Sequence, residues 1–402
     1  MVRERVFLGG QAVSMLGDGL AILAVPLLVL QLTRSPLAAV LASLPGSAGY
    51  LAAGLLAGVL VDRLDPWLVL ISGDVIQAIT FLALFVLTGS HVISAWLVLS
   101  LALAAGAVNV FSDTALAIIV RDVFPGPRLV SANSWLESVN QSGQIIGPGA
   151  AGALAAAGLL HVSMLIDALT FVVSLASLAA IRRSPAASRA GQPAATLRAL
   201  RHELAEGIRY LAATRLLFTL LVFVLVVNLC LGADKLIIFL ARNTLHLPAT
   251  QVGLVVAAGG LGGLLGAAGT GLLCRRLGPL PVVALCCAIS GAALIMISAA
   301  TSMPVALIAN MLYTWAVVAA SVTLRSLRQV LVPRALLGRV TACWRLGGQA
   351  VTLAGGLLAG ALTELAGNNP RPVFAGAGFL TLVTVAVAWS AGLRKEAPLS
   401  WS

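Results

Sequence analysis

Twelve long hydrophobic runs constrain this chain more than any other feature. They fall at about 6–31, 37–61, 67–89, 92–120, 130–158 and 160–181, and resume after a polar break at about 215–241, 250–274, 279–300, 303–331, 338–366 and 371–393. A bilayer-spanning helix needs about 20 mostly apolar residues. No water reaches the bilayer core, so such runs must form helices that satisfy their own backbone groups. Composition agrees: 60% of the 402 residues are hydrophobic and only 10% are charged, against about 25% charged in soluble domains. The predicted fold is all-α and integral to the membrane, with twelve transmembrane helices joined by short loops.

The formal net charge of +11 would suggest nucleic acid for a soluble protein, but the placement of the charges points elsewhere. With an inside N-terminus, cytoplasmic loops and helix ends hold Arg3, Arg5, Arg63, Arg121, Arg128, the arginines between Arg182 and Arg215, Arg275, Arg276, Arg325, Arg328, Arg334, Arg339, Arg345, Arg394 and Lys395. Of the 25 Lys and Arg, only Arg34, Lys235, Arg242 and Arg371 fall toward the outer side. A positive-inside bias of this size predicts both termini in the cytoplasm and accounts for the net charge without nucleic acid. Residues 1–5 run straight into the first apolar stretch with no small-residue cleavage site, so they open a span and not a signal peptide. The five cysteines show neither metal-ligand spacing nor a disulfide framework.

The long hydrophilic segment 182–214 divides the chain into an N-terminal six-helix bundle, 1–181, and a C-terminal one, 215–402. Within the segment, Leu197, Leu200, Leu204, Ile208 and Leu211 recur at steps of three and four. That spacing predicts an amphipathic helix on the inner leaflet, and a plain connector is equally compatible with it. The halves are related. At an offset of 208, Gln141 matches Gln349, Gly147 matches Gly355, and Gly152-Ala153-Leu154 matches Gly360-Ala361-Leu362. Glu137 falls opposite Arg345, a charge reversal. Two pseudo-symmetric bundles with a central linker are a transporter pattern, with substrate bound between repeats.

Three motifs stand out. Gly58-Val59-Leu60-Val61-Asp62-Arg63 follows the second run, Gly143-x3-Gly147-Pro148-x2-Ala151-Gly152 lies in the fifth, and Gly10-Gln11, Ser14 and Gly17-Asp18 lie in the first. In these residues the chain resembles the major facilitator superfamily, in particular its bacterial drug:proton antiporters and its macrolide- and enterobactin-exporter branch. The resemblance implies the twelve-helix facilitator fold and a bacterial plasma-membrane location. It also implies a gate at Gly58, Asp62 and Arg63 and sliding helix contacts at Gly147, Pro148 and Gly152. Asp65, Pro66 and Trp67 depart from the family loop, which continues with a glycine and basic residues.

An ionisable group at membrane depth costs about 2.5–3.5 kcal/mol on insertion scales, so each one needs a role. Asp18 lies roughly 18 Å along the first span, and Gln11, Ser14 and Asp18 share a helix face. This stripe either lines the cavity or makes helix–helix hydrogen bonds. Asp18 is the candidate proton carrier, because low dielectric favours a neutral carboxyl that holds a proton. Asp74 and Asp113 read as inner-gate partners, although Asp113 with Asn109 also borders the candidate cavity. Asp167 reads as a helix contact. Glu137 and Arg345 suit an ion pair between halves. Asp234-Lys235 is either a self-neutralising pair or an outer gate. Further cavity candidates are Ser47 and Tyr50 in the second span and Asn140, Gln141 and Gln144 in the fifth. The second half adds Asn228, Asn310, Thr314 and Gln349, while Arg325 and Arg328 read as topology anchors. So few fixed charges suit bulky, amphipathic, cationic molecules better than organic phosphates, which want converging cations.

The leading function is proton-coupled efflux of a hydrophobic or amphipathic drug, siderophore or natural product by alternating access. An importer or facilitator, a non-transporting receptor and a lipid flippase would use the same helices. An enzyme is disfavoured, since no nucleophile–base pair, zinc-type histidine cluster or phosphate loop is present. The expected partners are a small-molecule substrate, protons and the lipid bilayer, with the chain a monomer and no cofactor or metal.

Overall fold

The computed structural model describes residues 2–61, 64–90, 94–124, 127–180, 205–206, 208–333 and 336–390. Asp62, Arg63, Arg334, most of the 182–214 segment and residues 391–402, with Arg394 and Lys395, lie outside the described residues.

The described chain is helical: α1 Val2–Thr33, α2 Pro36–Ala42, α3 Pro45–Val61, α4 Pro66–Gly89, α5 Ala95–Val123, α6 Pro127–Ala156 and α7 Leu160–Ala180. Then come α8 Arg215–Leu231, α9 Ala249–Leu277, α10 Pro279–Ser298, α11 Met303–Leu331, α12 Leu337–Leu365 and α13 Arg371–Ala388. A 3-10 turn, Gly232–Leu236, and a π turn, Leu240–Thr244, extend the α8 span. Among the described residues ten helices are long and apolar enough to cross a membrane, or eleven when α2 and α3 count as one span.

Two runs differ in detail from the sequence expectation. The second is broken, with a 57° bend between α2 and α3. Pro45 begins α3, and a proline both lacks an N–H and drives its predecessor out of helical geometry. The fifth is the helix α6, whose Glu137, Asn140, Gln141 and Gln144 dilute its apolar character. The family loop's departure also has a local reason. Asp65 caps α4, its carboxylate accepting from the Trp67 N–H at 2.9 Å. Pro66 sits at the first helical position, where its missing N–H costs nothing. The Trp67 side chain is buried, its ring 6.2 Å from that of Phe7.

The chain forms two compact units, Met1–Arg34 with Leu41–Leu200, and Ser35–Val40 with Arg201–Ser402. In the first, α1 packs on α6 and α7, α3 on α5, and α4 on α5 and α7. In the second, α8 packs on α12 and α13, α9 on α11, and α10 on α11 and α13. These are the same pairings, six spans later. The repeat extends to single residues. A Cβ on Gly147 would land on the backbone of Gly19, and one on Gly355 would land on the backbone of Leu229. Only a glycine permits such approach between helices. Of the central segment, residues 205–206 and 208–214 are described, and they form its C-terminal end. Leu211 is buried with Leu217, Val332 and Val340, and Glu206 accepts from Arg339, so this end packs on protein.

Candidate functional site

Each unit has its own polar interior. In the first, carboxyls from four helices converge. On α1, Gln11 and Ser14 are buried and Asp18 is half-buried. The Gln11 amide donates to the Ser174 hydroxyl at 2.7 Å, and that hydroxyl donates to an Asp74 oxygen at 2.6 Å. The chain runs from α1 through α7 to α4. A hydroxyl has one proton to give, and here Asp74 receives it. Asp18 lies within electrostatic reach of Asp113 and Asp74, and Asp167 within reach of Asp18.

Asp167 is the most enclosed of the four at 1% exposure, and its Oδ2 has no hydrogen-bond partner. Its Oδ1 stands 3.4 Å from the Thr170 hydroxyl, which already donates to the Asp167 main-chain oxygen at 2.7 Å. Gly17 makes this closeness possible, because a Cβ there would collide with Thr170 and with the Asp167 carboxyl.

The other first-unit candidates sit more openly. Ser47, Tyr50, Asn109 and Gln144 are half-buried, while Asp113, Glu137 and Asn140 are exposed. Gln141 donates to Glu137 at 2.8 Å, one turn away on α6. Gly147, Pro148 and Gly152 are buried. Among the described residues no group of three or more His, Cys, Asp or Glu is arranged to hold a metal ion.

The second unit contains a cavity of about 670 Å³. Its wall includes Asn228 and Val224 of α8, Ser290 of α10, Ser321, Leu324, Arg325 and Arg328 of α11, and Thr341, Trp344, Arg345 and Gln349 of α12. The Arg328 guanidinium lies over the Trp344 ring, 4.5 Å from its centroid. Against the expectation of few fixed charges, three arginines line this wall, and no carboxylate is among its described lining residues. Asn228, Arg345 and Gln349 are the predicted residues that reach it. Arg325, Arg328 and Trp344 were legible only as anchors or not at all. Arg328 and Trp344 lie on different helices, and no spacing rule joins them.

Asn310 and Thr314 take a different place from the cavity expected for them. Asn310 is buried and donates to the Val255 carbonyl at 2.8 Å, and Thr314 donates to the Asn310 carbonyl on its own helix. Both face Gly259, in the glycine-lined contact of α9 with α11. The buried Asn310 amide is thus satisfied by the helix contact itself. Asp234 and Lys235 pair with each other at 3.1 Å on the 3-10 turn, each side chain partly buried.

The sequence model described as Major Facilitator Superfamily matches residues 7–341 and 236–402. The chain is 28% identical over 378 residues to the multidrug efflux pump Tap of Mycolicibacterium fortuitum, covering 92% of this chain and 91% of that one. It is 26% identical to macrolide efflux protein A of Streptococcus pyogenes over 43% of each chain. Its fold is similar to the crystal structure of a bacterial homologue of the iron transporter ferroportin in an inward-facing state. That likeness has a TM-score of 0.72 at 21% identity and covers 96% of this chain and 98% of that one.

Proposed function

This chain belongs to the Major Facilitator Superfamily, a family of multi-pass membrane transporters and not of enzymes, and from that premise we propose that it is a proton-coupled exporter of amphipathic drugs or natural products. Similarity to an efflux pump along 92% of the chain supports export over import. The observation that carries proton coupling is the carboxyl set of the first unit, where Asp18 lies within reach of Asp74, Asp113 and Asp167. Carboxyls that interact electrostatically take up and release protons as a coupled set. Asp18, half-buried where the others are buried or exposed, is the member that alternates between a proton and an empty state. A transport cycle then follows from differential binding. Proton and substrate each favour one of two arrangements of the halves, so moving one downhill drives the other uphill.

The test is a proteoliposome assay with an imposed pH gradient, using a substrate identified from a drug-susceptibility panel. Asp18→Asn is expected to abolish uphill accumulation and substrate-triggered proton release while retaining downhill movement. Wild-type accumulation by this variant would refute Asp18 as the carrier. In the cell we place the protein as a monomer in the bacterial plasma membrane with both termini inside. Reporters fused after Ala195 and Lys395 are then cytoplasmic, and one near Asn368 is external.

A further inference from the structure

We propose that the cavity of the second unit is an anion site, and that the exported compounds include amphipathic molecules bearing a carboxylate, sulfonate or phosphate group. This rests on the exporter reading and names its substrate class. The volume of about 670 Å³ suits a drug-sized ligand, for which pockets of ~300–1,000 Å³ are usual. Arg325 and Arg328 line it, and no carboxylate is among its described lining residues.

Arg328 carries the argument furthest. Its Nε and Nη1 are buried and have no hydrogen-bond partner. Buried donors are normally satisfied, and leaving one charged and unpaired costs more than leaving a neutral one. An arginine acting only as a topology anchor would extend its head to water. Arg328 instead lies over the buried Trp344 ring, beside Arg325, which repels it. Two like charges held together around an apolar-walled space are a geometry that an incoming anion relieves. Guanidinium groups bind carboxylates and phosphates with strong charge-assisted bonds. Trp344, Leu324 and Val224 provide the apolar wall for the body of the molecule. A phospholipid headgroup presents the same phosphate chemistry, so the test must separate the two sources.

The experiment uses the full chain in dodecyl maltoside, a phosphate-free detergent, and compares calorimetric binding of 1-naphthalenesulfonate with that of its uncharged analogue, 1-naphthalenesulfonamide. The sulfonate is expected to bind at least 10-fold more tightly. Arg328→Gln should remove that preference and Arg328→Lys should keep part of it, with a monodisperse elution profile and wild-type thermal unfolding reporting that the variants are folded. Equal affinity for the two probes overturns the proposal. So does a preference that survives both Arg328→Gln and Arg325→Gln. If phosphatidylglycerol displaces the sulfonate and the sulfonate is not transported in liposomes, a headgroup is the occupant and the substrate assignment falls. The exporter reading fails separately: Arg328-dependent sulfonate binding with no transport of any compound sinks export but not the site. Uphill export of neutral compounds without a sulfonate preference sinks the site but not export.

Discussion

The interior of the first unit is acidic and tied together across helices, whereas that of the second is basic and built around a cavity. Gln11, Ser174 and Asp74 form one hydrogen-bonded line through α1, α7 and α4. In the second unit the polar hydroxyls of α11, at Thr314, Thr323 and Ser326, donate to carbonyls of their own helix. The charged groups that line the cavity there are Arg325, Arg328 and Arg345. Both units nevertheless repeat one set of helix pairings and one pair of glycine contacts, Gly147 on Gly19 and Gly355 on Leu229. Duplication thus preserved the packing and let the charges diverge, as Glu137 and Arg345 show at equivalent positions. Backbone-to-backbone contacts tolerate no side chain, while polar positions facing an opening can change sign without disturbing the scaffold.

The largest effects should come from the shared scaffold. Gly147→Leu and Gly355→Leu are each expected to abolish transport and sharply reduce the monodisperse yield. The colliding atoms are backbone and cannot move aside as a flexible side chain would. Loss at one site with wild-type behaviour at the other would break the claim that the two units depend on equivalent contacts.

Next come the charges, which should separate by job. Asp18→Asn removes coupling but keeps the preference for sulfonate over sulfonamide, and Arg328→Gln lowers affinity for the sulfonate about 10-fold while substrate-triggered proton release persists at saturating substrate. A variant of either unit that alters both properties equally would show that the division of labour is false.

A smaller effect is expected at Ser174→Ala, which strands both the Gln11 amide and an Asp74 oxygen. Unsatisfied buried groups cost about 1–3 kcal/mol each, so thermal unfolding should shift measurably downward. An unchanged melting temperature would mean that the line of hydrogen bonds contributes nothing. The smallest is Thr314→Ala, whose hydroxyl serves only its own helix. It should change stability by less than about 0.5 kcal/mol, and a larger loss would mean that its packing against Gly259 and Gly263 of α9 matters more than its hydrogen bond.

Much of this was legible in the residues alone. Hydrophobic length dictates the number of helices, because a bilayer leaves the backbone no other way to satisfy itself. The offset of 208 between Gly147 and Gly355 announced both the duplication and the places where helices touch. Asp18, Gln11 and Ser14 were recognisable as one stripe, since helical periodicity shows which residues share a face. Periodicity does not say what that face meets. Ser174 and Asp74 lie 100 residues apart, and only the packing of α4 on α7 brings them together. Asn310 had the same polar, well-spaced signature as a cavity residue, yet the close approach of α9 at Gly259 turned it into a helix contact. Arg328 looked like one more positive charge at a helix end until α12 set Trp344 beneath it. The sequence determined which segments cross the membrane and which residues travel together on each helix. The tertiary structure alone decided which polar groups were consumed in packing and which were left to act, because that depends on neighbours from distant parts of the chain.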